Sequence, residues 1–152
     1  MSRSIVPAVA VAGEGDLDAI AILEASVQDF PWTRRHFADS LAAGHRLRVC
    51  RDGAALAGFS VAMTVLDEAH LLDIIVARPW QGQGVGAALL RGVMDEALAS
   101  GASKIFLEVR ASSEQAIGFY ERFGFSRIGL RRGYYPAALG REDALIYERE
   151  LT

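Results

Sequence analysis

Residues 80–90 read WQGQGVGAALL. Gly82, Gly84 and Gly86 fall at every second position, between the apolar run HLLDIIVA at 70–77 and the helix-like run VGAALLRGVMDEALASG at 85–101. Glycine favours neither helix nor strand, so this spacing marks a turn that needs positive φ or bare backbone beside a ligand. After the turn, Val85, Leu89, Val93 and the Ala97/Leu98 pair keep to one helical face, and Gly101 ends the helix. KIFLEV at 104–109 is a further strand. Strand, helix and strand form one βαβ unit, which predicts two parallel neighbouring strands with a right-handed crossover. The near-continuous apolar character of HLLDIIVA predicts burial on both faces.

Working outward, a first strand is expected over Val6–Val11. Asp16 is placed to cap a helix over LDAIAILEASV, with Leu17, Ile20, Leu23 and Val27 on one face. Pro31 in DFPWT ends that element, Thr33 caps a second helix over RRHFADSLAAG, and Gly44 closes it. RLRVCRD and ALAGFSVAMTVLD read as strands joined across Asp52-Gly53, a hairpin signal. Downstream, SSEQAIGFYERFG is a helix capped by Ser112 or Ser113, and FSRIGLRR and DALIYEREL are final strands flanking a loop, GYYPAALGRE. No repeat or linker interrupts the chain, so residues 1–152 are expected to form a single α/β domain around a mixed sheet.

Hydrophobic residues make up 51% of the chain and charged ones 23%, an ordinary globular balance. A formal charge of −3 gives no reason to expect nucleic-acid binding. Residues 1–76 carry 10 acids and 6 bases, residues 77–152 carry 9 acids and 10 bases, so an anionic ligand finds the second half friendlier. Cys50 is the only cysteine, which excludes an intrachain disulfide and a cysteine metal cluster; it reads as a small packing residue. His36, His45 and His70 lack metal-site spacing, and no metal is expected. The N-terminal stretch has an A-x-A at Ala10–Ala12, but Pro7 breaks the apolar run and a cut there leaves too short a leader. No run is long enough to span a membrane, so no membrane partner is expected and the cytoplasm is the expected compartment.

A glycine-rich turn from strand to helix aims backbone N–H groups at the positive end of the helix dipole, a ready site for an anion. A P-loop requires GxxxxGK[ST], and the stretch has neither the lysine nor the hydroxyl. A dinucleotide fold requires GxGxxG; GVGAAL from Gly84 ends in leucine, although Glu108 lies about where a ribose-binding acid would lie, and there is no second nucleotide half. A tight turn with no ligand is the plain alternative.

The pattern Gln81-x-x-Gly84-x-Gly86 resembles the R/Q-x-x-G-x-G/A loop of the GNAT acyltransferases. From Phe30 onward the chain is similar to one branch of that family, the bacterial ribosomal-protein-alanine N-acetyltransferases. The matching pieces are FPW at 30–32, IIV at 74–76, WQGQGVG at 80–86, LEVRAS at 107–112, FYERFGF at 119–125, RRGYYP at 131–136 and GREDA at 140–144. The resemblance implies the GNAT fold, a central twisted mixed sheet with a splayed parallel pair of strands. It implies acetyl-CoA as co-substrate, with the backbone of Ile74, Ile75 and Val76 on the pantetheine and that of Gly82, Gln83, Gly84, Val85, Gly86 and Ala87 on the pyrophosphate. Ser113 stands where the family usually has a cofactor-touching asparagine, and Gly82 where it usually has arginine.

The same resemblance implies Glu108 as general base and Tyr120 as proton donor to the leaving thiolate. Read from its surroundings alone, Glu108 is as well a strand-end carboxylate paired with Arg110 or another arginine, and Tyr120 a core residue on an apolar stripe. If Glu108 is buried its pKa should rise, with a nearby arginine opposing that. Phe30 and Trp32, with Pro31, are expected as one wall for an acceptor peptide, and Tyr134 and Tyr135, with Pro136, as the other; a hydrophobic plug over the sheet edge is the alternative. Glu142 and Asp143 either favour a basic tail or form a solvated turn. The implied partner is the N-terminal peptide of a ribosomal protein. Another protein terminus, a lysine or a small-molecule amine are alternative acceptors, and a non-catalytic CoA-binding module is a further reading.

Overall fold

The structure, a computed structural model, describes residues 8–152. The chain runs β1 (Ala8–Val11), α1 (Leu17–Val27), α2 (Arg34–Ala42), β2 (Arg46–Asp52), β3 (Ala55–Val65), β4 (Glu68–Val76), α3 (Val85–Ala99), β5 (Lys104–Arg110), α4 (Glu114–Arg122), β6 (Ser126–Ala137) and β7 (Gly140–Glu150). The strands hydrogen-bond in the order β1-β2-β3-β4-β5-β7-β6. The β4–β5 pair is parallel, as the βαβ reading requires, and its ladder runs from Glu68↔Lys104 to Leu71↔Leu107. The pairs β1–β2, β2–β3, β5–β7 and β6–β7 are antiparallel, so the sheet is mixed.

The chain divides into two compact units. The first takes the residues up to Met63 together with Leu72–Glu96. Its core joins Leu17, Ile20 and Leu23 of α1, Phe37 of α2, Leu47 and Val49 of β2, Phe59 and Val61 of β3, and Ile75 of β4. Phe37 meets Phe59 edge-on, with centroids 5.4 Å apart, the geometry aromatic quadrupoles favour. Thr33 caps α2 as expected, accepting the His36 backbone N–H at 3.2 Å. Asp16 precedes α1 but does not cap it by a side-chain bond. Its carboxylate accepts the Gly13 N–H at 2.9 Å and pairs with Arg51; these contacts hold its pKa below the usual range. The hairpin at Asp52-Gly53 is present, with Gly53 at φ 63°.

The second unit takes Thr64–Leu71 and Ala97–Thr152. Along β5, Ile105, Leu107 and Val109 alternate inward, the period-2 signature of a strand with one buried face. Tyr120 and Phe125 bracket the end of α4 edge-on at 5.7 Å. Tyr147 is buried and donates to Glu121 Oε2 at 2.9 Å; burial, then Glu121, push its phenol up.

Four expectations need correction. The first strand occupies Ala8–Val11, while Val6 and Pro7 lie outside the described residues. β4 is not equally buried on both faces: Ala69, Leu71 and Ile75 alternate fully inward, while Leu72, Ile74 and Val76 on the other face are partly buried and pack against the core clusters. Leu98 is 43% exposed and leaves the apolar face of α3, whose stripe is Val85, Leu89, Val93 and Ala97. GYYPA is strand rather than loop, because β6 pairs on through Tyr135↔Glu142 to Ala137↔Gly140 after an irregularity between Arg131 and Tyr135. Gly133, at φ 59°, sits inside that irregularity, where a left-handed residue lets an antiparallel strand bulge.

Candidate active site

In the first unit the glycine turn is built as the spacing predicts. Gly82 and Gly84 have φ of 78° and 87°, conformations that L side chains rarely adopt. A Cβ added at Gly82 would meet nothing within 4 Å, so space above the backbone is open there. The turn is pinned by side chains. Gln81 Nε2 donates to the Val76 carbonyl at 3.1 Å, and Gln83 Nε2 donates to the Pro79 carbonyl at 2.9 Å. Trp80 Nε1 donates to Asp52 Oδ2 at 3.3 Å, tying the turn to the β2–β3 hairpin. Val85, Gly86 and Ala87 form the first turn of α3, which carries no acidic side chain to compete for its N–H groups. The donor set therefore suits a phosphate.

Ile74, Ile75 and Val76 end β4, beyond the last residue of its ladder with β5. Ile75 is buried, and Ile74 and Val76 pack against the Cys50, Ala57, Val85 and Leu89 cluster. Burial pushes the Cys50 thiol up, consistent with a packing role. Gly58, a residue the sequence reading passed over, makes this layer possible. A Cβ there would lie 2.7 Å from the Ile75 carbonyl oxygen, 3.0 Å from Val85 Cγ1 and 3.1 Å from Leu89 Cδ1. Only a bare α-carbon lets β4 and α3 approach β3 this closely.

Trp32 stacks on His36 at 5.1 Å and tilts against Phe37 at 5.3 Å, so its ring is part of the core margin. Phe30 is 45% exposed. The Trp32 backbone N–H donates to Glu24 Oε2 at 2.9 Å. Glu24 was also missed, although its signal was present: it lies seven residues after Leu17 and four after Ile20, on the apolar face of α1, and is 2% exposed.

In the second unit, Glu108 stands on β5 with Oε2 at 3.5 Å from Arg131 Nε. Arg131 is thus an ion-pair partner of this carboxylate. Arg110 Nη1 holds Glu142 Oε1 at 3.1 Å and the Pro136 carbonyl at 2.8 Å. Tyr134 is 44% exposed and brings its phenol to the Glu108 carboxylate. Burial, then Glu108, push that phenol up, while Arg131, whose Cζ lies 5.4 Å from the ring centroid, opposes the shift. A predicted base and a predicted acceptor-side aromatic thus meet. Tyr135 lies under Arg110, whose Cζ is 4.5 Å from its centroid. Tyr120 is 6% exposed and touches Phe119 and Phe125 edge-on.

Ser113 precedes α4 without capping it through its side chain; its N–H reaches the Arg110 carbonyl at 3.0 Å. Glu142 and Asp143 are structural ties rather than a free acidic turn. Glu142 Oε2 accepts the Ser112 N–H at 2.7 Å, and Asp143 Oδ1 accepts the Gly133 N–H at 2.9 Å. The hydroxyl and N–H of Ser112, then Arg110, hold the Glu142 carboxyl below its usual range. Among the described residues no group of His, Cys, Asp and Glu could hold a metal, and no helix is long and apolar enough to cross a membrane.

The family model of the acetyltransferase (GNAT) family matches residues 17–125. The chain belongs to the GNAT acetyltransferase family. This acetyltransferase is 40% identical to the [ribosomal protein bS18]-alanine N-acetyltransferase of Escherichia coli K12, over 86% of this chain and 88% of the relative. It is 34% identical to a putative enzyme of the same name from Bacillus subtilis, over 86% and 87%. The crystal structure of the ribosomal-protein-S18-alanine N-acetyltransferase from Escherichia coli superposes with a TM-score of 0.89 at 36% identity, covering 95% of this chain and 94% of that one. Ard1 from Thermoplasma volcanium shares the fold, with a TM-score of 0.85 at 19% identity over 97% and 99% of the two chains. The acetyltransferase is thus an N-acetyltransferase with the mixed-sheet GNAT fold.

Proposed function

We propose that this enzyme transfers acetyl from acetyl-CoA to the N-terminal α-amine of a protein, the alanine terminus of ribosomal protein bS18. The observation that carries this reading is the 40% identity to the Escherichia coli bS18-alanine N-acetyltransferase over most of both chains. Acetyl-CoA supplies an acyl thioester whose pyrophosphate suits the bare backbone turn at residues 82–87. The open space over Gly82 and the absence of acid in the first turn of α3 support that assignment.

An N-terminal ammonium has a pKa of about 8, so a modest base can free its lone pair near neutral pH. Glu108 takes that proton, directly or through one water. The amine nitrogen bonds to the acyl carbon, and a backbone N–H at Ile75 or Val76 faces the charge that builds on the carbonyl oxygen. As the C–S bond breaks, Tyr120 gives its proton to the thiolate, whose conjugate acid has a pKa of about 8.5 against about 10 for a phenol. Phe30 and Trp32, and Tyr134 and Tyr135, grip the residues that follow the acceptor alanine. Tyr134, next to Glu108, orients that carboxylate toward the incoming amine.

The test is mass spectrometry of a panel of N-terminal peptides incubated with acetyl-CoA. The bS18 N-terminal peptide should be acetylated well above peptides led by other residues and above lysine side chains. Preference for a lysine or for a small amine would assign a different acceptor.

A further inference from the structure

Glu24 and Asp73 stand outside the chemistry above, and each occupies a position where a sheet protein of this type expects an apolar residue. Glu24 shares the α1 face with Leu17 and Ile20. Asp73 lies between Leu71 and Ile75 in the alternation of β4, on its inward face. The Asp73 side chain lies within hydrogen-bonding reach of Glu24. Glu24 Oε1 and Asp73 Oδ2 are both shut off from solvent, and neither meets a donor among the described residues. Two facing carboxylates without a cation are unstable in such a place; one proton held between them satisfies both. The other oxygen of Glu24, Oε2, accepts the Trp32 N–H.

We propose that Glu24 and Asp73 act as a positioning pair that fastens the Phe30–Trp32 turn to β4 through a shared proton and so sets the enzyme's affinity for its acceptor peptide. The proposal rests on the reading of Phe30 and Trp32 as acceptor wall. The chain of contacts is short. Asp73 precedes Ile74–Val76 directly, Glu24 answers it from α1, and Trp32 hangs from Glu24 by its backbone. Trp32 is further confined by His36 and Phe37, so once its N–H is held, the turn has one orientation. The pair touches neither the glycine turn nor Glu108 in any described contact, and its one link toward the cofactor strand is the Ile74 N–H on Asp73, so its loss should weigh more on the acceptor than on the cofactor.

The test uses the intact enzyme with acetyl-CoA and the bS18 N-terminal peptide. Asp73→Leu should raise the acceptor KM by roughly tenfold, the scale of one buried hydrogen bond lost, and the acetyl-CoA KM by clearly less. Asp73→Asn, which supplies an uncharged donor to Glu24, should restore the acceptor KM to near the parent value. Glu24→Gln keeps an acceptor for Trp32 and should behave like Asp73→Asn. The backbone amide of Trp32, followed by ¹⁵N–¹H NMR, should shift and lose exchange protection in Asp73→Leu but not in Asp73→Asn. An unmoved Trp32 amide in Asp73→Leu overturns the pairing itself. A shifted amide with unchanged acceptor KM overturns the positioning role and removes Phe30 and Trp32 from the acceptor wall. Failure to acetylate the peptide at all refutes the acceptor reading, while the amide result still decides whether the pair fastens the turn.

Discussion

Glu108 Oε2 lies 3.5 Å from Arg131 Nε, and the same carboxylate lies against the Tyr134 phenol. β5 and β6 do not pair with one another; each pairs with β7. Gly129 and Glu108 share Ile146, and Arg131 and Arg110 share Ala144, so Arg131 reaches Glu108 diagonally across one intervening strand. The carboxylate is therefore oriented by a cation and a phenol from one strand. For a base this matters more than charge alone, since proton transfer needs a held geometry. Glu108→Gln should lower kcat by about 10²–10⁴-fold, the usual range for a lost general base. Calorimetric affinity for acetyl-CoA should not change. A variant with parent turnover at every pH would remove Glu108 from the mechanism.

Tyr120→Phe isolates a hydroxyl. The ring keeps its edge contacts with Phe119 and Phe125, so the fold should persist. Turnover should fall by about 10²-fold if the phenol protonates the thiolate. A thermal midpoint within about 4 °C of the parent would show that the loss is chemical, since a change of 1 kcal/mol moves a domain of this size by about that much. Parent-like turnover would return Tyr120 to the core.

Gly84→Val places a β-branched side chain at φ 87° and puts bulk over the turn. Left-handed backbone at a β-branched residue costs on the order of 1–3 kcal/mol. The more telling effect should be on ligand: binding of CoA, measured by titration calorimetry, should weaken at least tenfold or vanish. Retained affinity in a folded variant would mean that the pyrophosphate lies elsewhere.

Much of this arrangement was legible in the residues. The Gly82–Gly86 spacing, the 3.6-residue stripe of α3 and the period-2 core face of β5 each have one natural solution, and the βαβ order follows from them. The β6 strand through Tyr134 and Tyr135 was not legible. Gly133, Pro136 and Gly140 look like loop punctuation, and only pairing with β7 makes them strand. The contact of Arg131 with Glu108 was not legible, because it depends on how β6 registers on β7. Gly58 was hidden because its role is a distance to β4 and α3, invisible along the strand. Glu24 and Asp73 were legible in principle, as acids at apolar positions of a stripe and of an alternation.

Gly58→Ala tests how tightly that layer is built. The new methyl would lie 2.7 Å from a backbone oxygen, Ile75 O, which cannot swing aside like a side chain. Overpacking of this kind costs about 1–3 kcal/mol. Denaturant unfolding should show that loss. Because Ile75 and Val85 are the atoms pushed, acetyl-CoA KM should rise more than acceptor KM. A stable variant with unaltered cofactor KM would show that β4 can move without consequence.

Asp73 also makes a prediction about pH. Burial, then the neighbouring Glu24, raise its carboxyl well above the usual value, with the Ile74 N–H opposing. In the unfolded chain an aspartate titrates at about 3.9. Below that value both states are protonated and the group contributes nothing to the pH dependence. Above it the unfolded chain releases the proton while the folded protein keeps it, so folding takes up a proton and stability falls as pH rises. The fall continues until the raised folded value is passed. Asp73→Asn has no proton to lose, so its stability relative to the parent should climb as pH is raised from about 4. Urea unfolding at a series of pH values measures that difference directly. A difference that stays flat, or one in which the variant loses ground to the parent as pH rises, would show that Asp73 is ionised in the folded enzyme.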